Sequence, residues 1–165
     1  MTVPRDDSAA MAADERLAAE RPHLSTDYLN RYGEALMLIE MAQMDPDIVD
    51  ELRDWRPVGY REHFRASQLR GAPTALAAYD ALAPGQRRAF EDVCQTMNRL
   101  IKTVIALLDD DDYSGDIPAV IDVASGSLRS LISRATQFIN ANGRIDITEF
   151  APRALQEDID TMFLH

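Results

Sequence analysis

After the first 22 residues, apolar side chains recur every three or four positions, the spacing that lines one face of an α-helix. The pattern is sharpest in two stretches. Phe90, Val93, Met97, Leu100, Val104 and Leu107 step by 3, 4, 3, 4 and 3 residues, a heptad seam. Ile121, Ala124, Leu128, Leu131, Ala135 and Phe138 repeat those steps. Pro84 suits the first turn of the first helix, which the spacing carries to about residue 108. The second helix runs from Pro118 to about Asn140 and passes through Gly126. A glycine there costs about 1 kcal/mol relative to alanine, which packing can offset.

Shorter helices are predicted on either side. Ser25 is an N-cap for a helix to about Ala42, with Tyr28, Leu29, Tyr32, Leu36 and Ile39 on one face. Asp45-Pro46 restarts a helix striped by Ile48, Val49, Leu52 and Trp55, and Pro57 ends it. A third helix over 58–69 turns Phe64 and Leu69 inward and stops at Gly71. Pro73 opens an Ala-rich helix to Leu82, and a last helix from about Glu149 carries Leu155, Ile159, Met162 and Phe163. No alternating stretch supports a strand beyond the few residues around Ile145. The expected fold is all-α, a helical bundle built around a long antiparallel helical hairpin joined through 109–117, with shorter covering helices. Residues 1–22 offer few sizeable aliphatic side chains and read as a flexible acidic N-terminal arm. Residues 23–165 read as a single helical domain.

Composition narrows the class. Apolar residues make up 46% and charged residues 27%, ordinary for a soluble globular chain. The single Cys94 excludes a disulfide framework and any multi-cysteine zinc site, and it fits a buried hydrophobe in a reducing cytoplasm. No apolar run approaches a membrane span and no secretory signal opens the chain, so the expected location is cytoplasmic with no membrane partner. The net charge of −11 is unevenly spread. Residues 1–55 hold 5 Arg against 13 acids, 56–108 hold 7 Arg and 1 Lys against 4 acids, and 109–165 hold 4 Arg against 11 acids. A basic middle between acidic ends predicts that the segments neutralise one another in the fold.

One stretch looks like a motif. Asn140 to Phe150, NANGRIDITEF, resembles the back half of an EF-hand calcium loop, which has oxygen ligands at six of twelve positions and glycine at the sixth. With Gly143 sixth, Asn140, Asn142, Asp146 and Glu149 fall on ligand positions, but Phe138 occupies the first and coordinates nothing. A second stretch, Asp110 to Ile121, places Asp110, Asp112 and Ser114 well but ends on Ile121 where a carboxylate is needed. The preferred reading of the first stretch is a helix–turn–helix junction, with Asn142-Gly143 ending one helix and Thr148 capping the next. The run Asp109 to Asp112 opposes the macrodipole of the helix it follows and reads as a solvated turn.

Catalytic signatures are missing. His23, His63 and His165 lack metal-ligand spacing, and there is no HExxH, Gly-rich phosphate loop or GxSxG elbow. No catalytic residue, metal ligand or cofactor is therefore expected. The candidate binding residues are Arg56, Arg61, Arg65 and Arg70 in RPVGYREHFRASQLR, a loose helix-turn-helix outline. The acidic net charge argues against nucleic acid, and an acidic neighbour such as the 45–54 helix is the preferred partner for these arginines. Met37, Met41 and Met44 cluster near one helix end and suit an adaptable contact surface. The expected function is that of a non-catalytic regulatory, adaptor or assembly protein, whose partner is another protein or a second copy as a homodimer. The alternatives are a calcium-binding protein with degenerate EF-hand-like loops and an anion or nucleic-acid binder using the basic middle.

Overall fold

The computed structural model describes residues 22–147, and among them the chain is all-α with no strand. After a 3-10 turn at Thr26–Leu29 come six helices: α1 Asn30–Ala42, α2 Ile48–Arg53, α3 Tyr60–Ala66, α4 Ala72–Asp80, α5 Pro84–Leu108 and α6 Ile117–Asn140. The expected N-terminal arm and the helix from Glu149 lie outside the described residues, as does the Thr148 cap.

The two heptad seams are the core. Phe90, Val93, Met97, Leu100 and Val104 of α5 are buried, and so is every seam residue of α6 from Ile121 to Phe138. Of the helix pairs, α5 and α6 make the most extensive contact. Phe90 near the start of α5 stacks on Phe138 near the end of α6, with centroids 5.2 Å apart and ring planes 20° apart. The apolar faces are wider than a strict seam: Cys94 and Ile101 on α5 and Val120 and Ile139 on α6 are buried too. Each long helix also supports α1, so it needs the broader stripe of a bundle helix rather than the narrow one of a coiled coil. Burial around Gly126 is carried by Ala124, Ser125 and Leu128, while Gly126 itself faces outward.

Caps set the element ends. The Ser25 side chain accepts from Asp27 N at 3.2 Å, which starts the chain in a 3-10 turn before α1 takes over. Asp45 accepts from Asp47 N at 3.0 Å, so the Asp-Pro step forms a capped turn and regular α2 begins only at Ile48. Pro84 opens α5 and Pro118 lies in the first turn of α6, whose N-cap Asp116 accepts from Ala119 N at 3.1 Å. At the far end of α6, Asn142 N donates to Ile139 O and Gly143 N to Phe138 O, both at 2.9 Å, closing a Schellman turn. Asn142 and Gly143 both take positive φ, 51° and 80°. The freed Asn142 side chain accepts from Leu24 N at 2.9 Å and donates to Pro22 O at 3.1 Å, tying the start of the described chain to the end of α6.

The third helix departs from the sequence reading. It ends at Ala66, because the Ser67 side chain captures Leu69 N at 3.1 Å and offers the backbone an alternative to the helix ladder. Leu69 is consequently 49% exposed, and the inward residue missed by the spacing is Tyr60. Gly71 does not stop this helix but precedes α4 as its N-cap.

Leu100 and Leu131 are fully buried mid-seam. Truncating either to alanine is expected to cost about 2–5 kcal/mol, measured by urea denaturation. The exposed Arg99→Ala control is expected to change stability by less than about 0.5 kcal/mol.

Candidate binding surfaces

The four singled-out arginines are not gathered into one patch. Arg61 Nε donates to Asp80 Oδ1 at 2.9 Å, and its guanidinium lies over the Tyr79 ring, 5.0 Å from the centroid. Arg56 turns back on its own chain, donating to the carbonyls of Arg53 at 2.6 Å and Trp55 at 3.0 Å. Arg65 and Arg70 are exposed and form no ion pair among the described residues. None of the four meets an acid of the 45–54 stretch, the expected partner. The α2 acid Asp50 is instead paired with Arg53 of the same helix.

Among the described residues, Arg61 pairs with Asp80 within the basic middle, Asp27 of the first acidic segment meets His63 of the middle at 2.8 Å, and Arg53–Asp109 at 2.6 Å and Arg129–Glu40 link the acidic flanks to each other. The Arg53–Asp109 pair answers the helix-dipole conflict, because a cation from α2 sits against the acid that caps the α5 C-terminus. All of these pairs are at least partly exposed, so solvent screens them and none determines the fold.

What α3 does build is the wall of a cavity. Tyr28, Tyr60, Arg61, Arg65, Tyr79, Phe90, Glu91, Cys94, Gln95 and Asn98 are among the residues lining a space of about 410 Å³ between α3, α4 and α5. Tyr60 and Tyr79 stack at 4.5 Å, and Tyr28 and Phe90 complete an aromatic surface around them. Every hydroxyl here is engaged. Tyr28 donates to Val58 O at 2.7 Å, Tyr60 to Ala75 O at 3.1 Å, Tyr79 to Glu91 at 2.6 Å and Tyr32 to Asn98 at 3.0 Å. The sequence reading singled out Arg61 and Arg65 of this site and placed Tyr28 and Phe90 on apolar helix faces, but it missed Tyr60 and Tyr79.

The site offers no activated nucleophile. Burial pushes the Cys94 thiol up to about 12 and the Tyr60 hydroxyl up to about 12. Tyr28, Tyr32 and Tyr79 are raised further, again chiefly by burial. His63 is also committed. Its Nε2 lies 2.8 Å from Asp27 Oδ2 and its Nδ1 lies 3.5 Å from Arg31 Nε, so both ring nitrogens face partners of the fold. Among the described residues no three His, Cys, Asp or Glu side chains converge on a metal-sized space. The acidic loop uses its carboxylates locally: Asp110 accepts from Asp112 N at 3.0 Å, and Asp116 caps α6. In the Asn140–Phe150 stretch Asn142 is bonded to Leu24 and Pro22, and Phe138, at the loop's first position, is buried. Glu149 lies outside the described residues.

The methionines form a different kind of surface. Met37 and Met41 lie one turn apart on the outer side of α1 and Met44 lies in the turn just beyond it, and they are 52%, 44% and 92% exposed. Glu34, Glu40, Asp45 and Asp47 are exposed around them. No helix among the described residues is long and apolar enough to cross a membrane. No protein-family model matches the sequence, and no curated protein or solved structure matches it significantly.

The raised thiol and hydroxyls fix a pH dependence. Below about pH 9 folded and unfolded chains both keep these protons, so the stability is fully present. Above it the unfolded chain releases protons that the folded chain holds until about 12, and stability falls with rising pH. Urea midpoints are expected to decline steadily from pH 9 upward, less steeply at the onset in Cys94→Ser. A midpoint independent of alkaline pH contradicts this burial effect.

Proposed function

We propose that this is a non-catalytic helical protein that acts by protein–protein contact, as a regulator, adaptor or assembly subunit, through the methionine face of α1. The observation that carries the reading is the exposure of Met37 and Met41 one turn apart on α1, whose other face is buried, with Met44 exposed in the turn that follows. Large apolar side chains grouped on an outer face are the kind of feature that marks a contact site, and methionine's flexible thioether lets such a face adapt to its partner.

The acids around the stripe define the complementary chemistry. Glu34, Asp45 and Asp47 suit a partner that presents an apolar helix face bordered by Lys and Arg. A second copy of this chain suits the stripe less well, because the same carboxylates would face one another across a two-fold axis. The heptad seams of α5 and α6 are already buried within this chain. The location in this reading is the cytoplasm, where a lone cysteine stays reduced.

The test is comparative. Met37→Glu/Met41→Glu changes only exposed positions and is expected to move stability by less than about 0.5 kcal/mol per site. Affinity capture with the native and the doubly substituted protein is expected to differ by one stoichiometric partner. That partner, once purified, binds the native chain in calorimetry and the variant at least about tenfold more weakly, in keeping with loss of a central apolar contact. Identical captured sets, or no stoichiometric binding to the native chain, overturn the reading. Sedimentation of the native protein as a dimer that the same substitutions dissociate favours self-association instead.

A further inference from the structure

A groove of about 590 Å³ lies between the α2–α3 connection and α5, and no methionine lines it. We propose that it docks an acidic peptide segment of a partner, with a carboxylate side chain at Arg56 and Lys102 and a neighbouring large apolar side chain against Trp55, Pro57 and Ile105. The three ionic residues of its lining, Arg53, Arg56 and Lys102, are all cations, in a chain whose net charge is −11.

The lining is open to a partner. Arg53, Arg56, Lys102 and Ala106 are exposed, and Trp55, Pro57 and Ile105 are partly so. Trp55 and Ile105 rest on the core by their inner sides, so the side that faces the groove is apolar surface that folding leaves uncovered. The floor is also set before any partner arrives. The Trp55 indole N–H donates to Arg31 O at 3.2 Å, and Pro57 has a fixed φ. Arg56 is held by its bonds to the carbonyls of Arg53 and Trp55. A prearranged surface of this kind loses little conformational freedom on binding. Small molecules are normally buried over most of their surface, so a groove lined by exposed side chains suits a segment carried by a larger partner better.

Charge selects the partner. Arg53 is neutralised by Asp50 and Asp109. The Arg56 guanidinium bonds to neutral carbonyls, and neither Arg56 nor Lys102 forms an ion pair among the described residues. Two uncompensated cations beside an apolar floor complement a carboxylate next to an apolar side chain. A run of phosphates suits the groove less well. Asp50 and Asp109 border it through Arg53, and the exposed Asp110, Asp111 and Asp112 follow, so a polyanion that extends past the two cations meets acids.

Trp55 is the only tryptophan of the chain, so its fluorescence reads the groove directly. The probe is the peptide acetyl-GLEGLEG-amide, with GLQGLQG as its neutral isostere and GAEGAEG as its apolar truncation. The probe is expected to change Trp55 emission saturably in the high-micromolar to millimolar range. It is expected to bind about three- to tenfold tighter than GLQGLQG, the effect of one or two exposed charge pairs, and this margin shrinks as added salt screens the charges. GAEGAEG is expected to bind at least about threefold more weakly than the probe, through loss of apolar contact.

Lys102→Gln and Ala106→Glu alter exposed positions of α5. The first narrows the preference for the acidic peptide and leaves GLQGLQG binding unchanged. The second sets an acid in the groove and abolishes the preference. Met37→Glu/Met41→Glu binds the probe as the native chain does, which keeps this test separate from that of the methionine face. No saturable change in emission, equal affinities for the acidic and neutral peptides, or a preference unaltered in both α5 variants overturns the proposal. So does tighter binding of a single-stranded oligonucleotide than of the probe at physiological salt, which assigns the two cations to phosphate.

Discussion

The ring of Phe90 sits where the two halves of this protein meet. On one side it stacks on Phe138 and closes the end of the α5–α6 seam. On the other it lies within 6.3 Å, centroid to centroid, of Tyr28, Tyr60 and Tyr79, the rings that join the 3-10 turn, α3 and α4 to the long helices. Without that shared ring, α3 and α4 lose a common partner, because both are short and their charged contacts, Arg61–Asp80 and His63–Asp27, are partly exposed. Apolar and aromatic burial therefore organises the fold, and charge decorates it. Edge-to-face and offset-stacked rings add about 0.5–1.5 kcal/mol per pair to the area they bury, so a cluster of this size outweighs the partly exposed salt bridges.

The parts legible in the sequence are those set by local rules over many residues. The seams of α5 and α6 extend over six residues each, and prolines mark the first turns of both helices, so their bounds come through almost to the residue. The Asn142-Gly143 turn is equally local, since only a residue tolerant of positive φ ends a helix in that way. Failure begins where one side chain decides. Ser67 ends α3 by taking one backbone donor, and nothing in the apolar spacing around Phe64 and Leu69 signals it. The arginine partners failed for another reason. Composition counts charges by segment, whereas a salt bridge between exposed side chains depends on which helix ends come together, as Arg53 and Asp109 do.

The cavity was illegible because its wall is assembled from positions 28, 60, 79 and 90, each of which alone is an ordinary core aromatic. Only the packing of four separate elements turns them into one surface. The methionine stripe was half legible: the spacing of Met37, Met41 and Met44 is written in the sequence, but exposure is a tertiary property. Those two features differ in chemistry as well as in place. One is a flexible apolar face ringed by acids, suited to another protein. The other is a hollow whose aromatic lining is packed into the core, with Arg61 and Arg65 among its lining residues. Neither holds a nucleophile or a base in an activated state: Cys94 and the tyrosines keep their protons through burial, and His63 faces Asp27 and Arg31.

The dependence of the whole on Phe90 is open to direct measurement. Urea unfolding of Phe90→Leu, Phe138→Leu and the double substitution, combined as a thermodynamic cycle, isolates the coupling between the two rings. Each single change is expected to destabilise the protein by about 1–3 kcal/mol, with a favourable coupling of about 0.5–1.5 kcal/mol between them. The Phe90→Leu protein is also expected to lose amide-exchange protection in α3 and α4 ahead of α5 and α6. Additive single effects, with protection in α3 and α4 unchanged, would contradict the account and show that the short helices are held by something other than this ring.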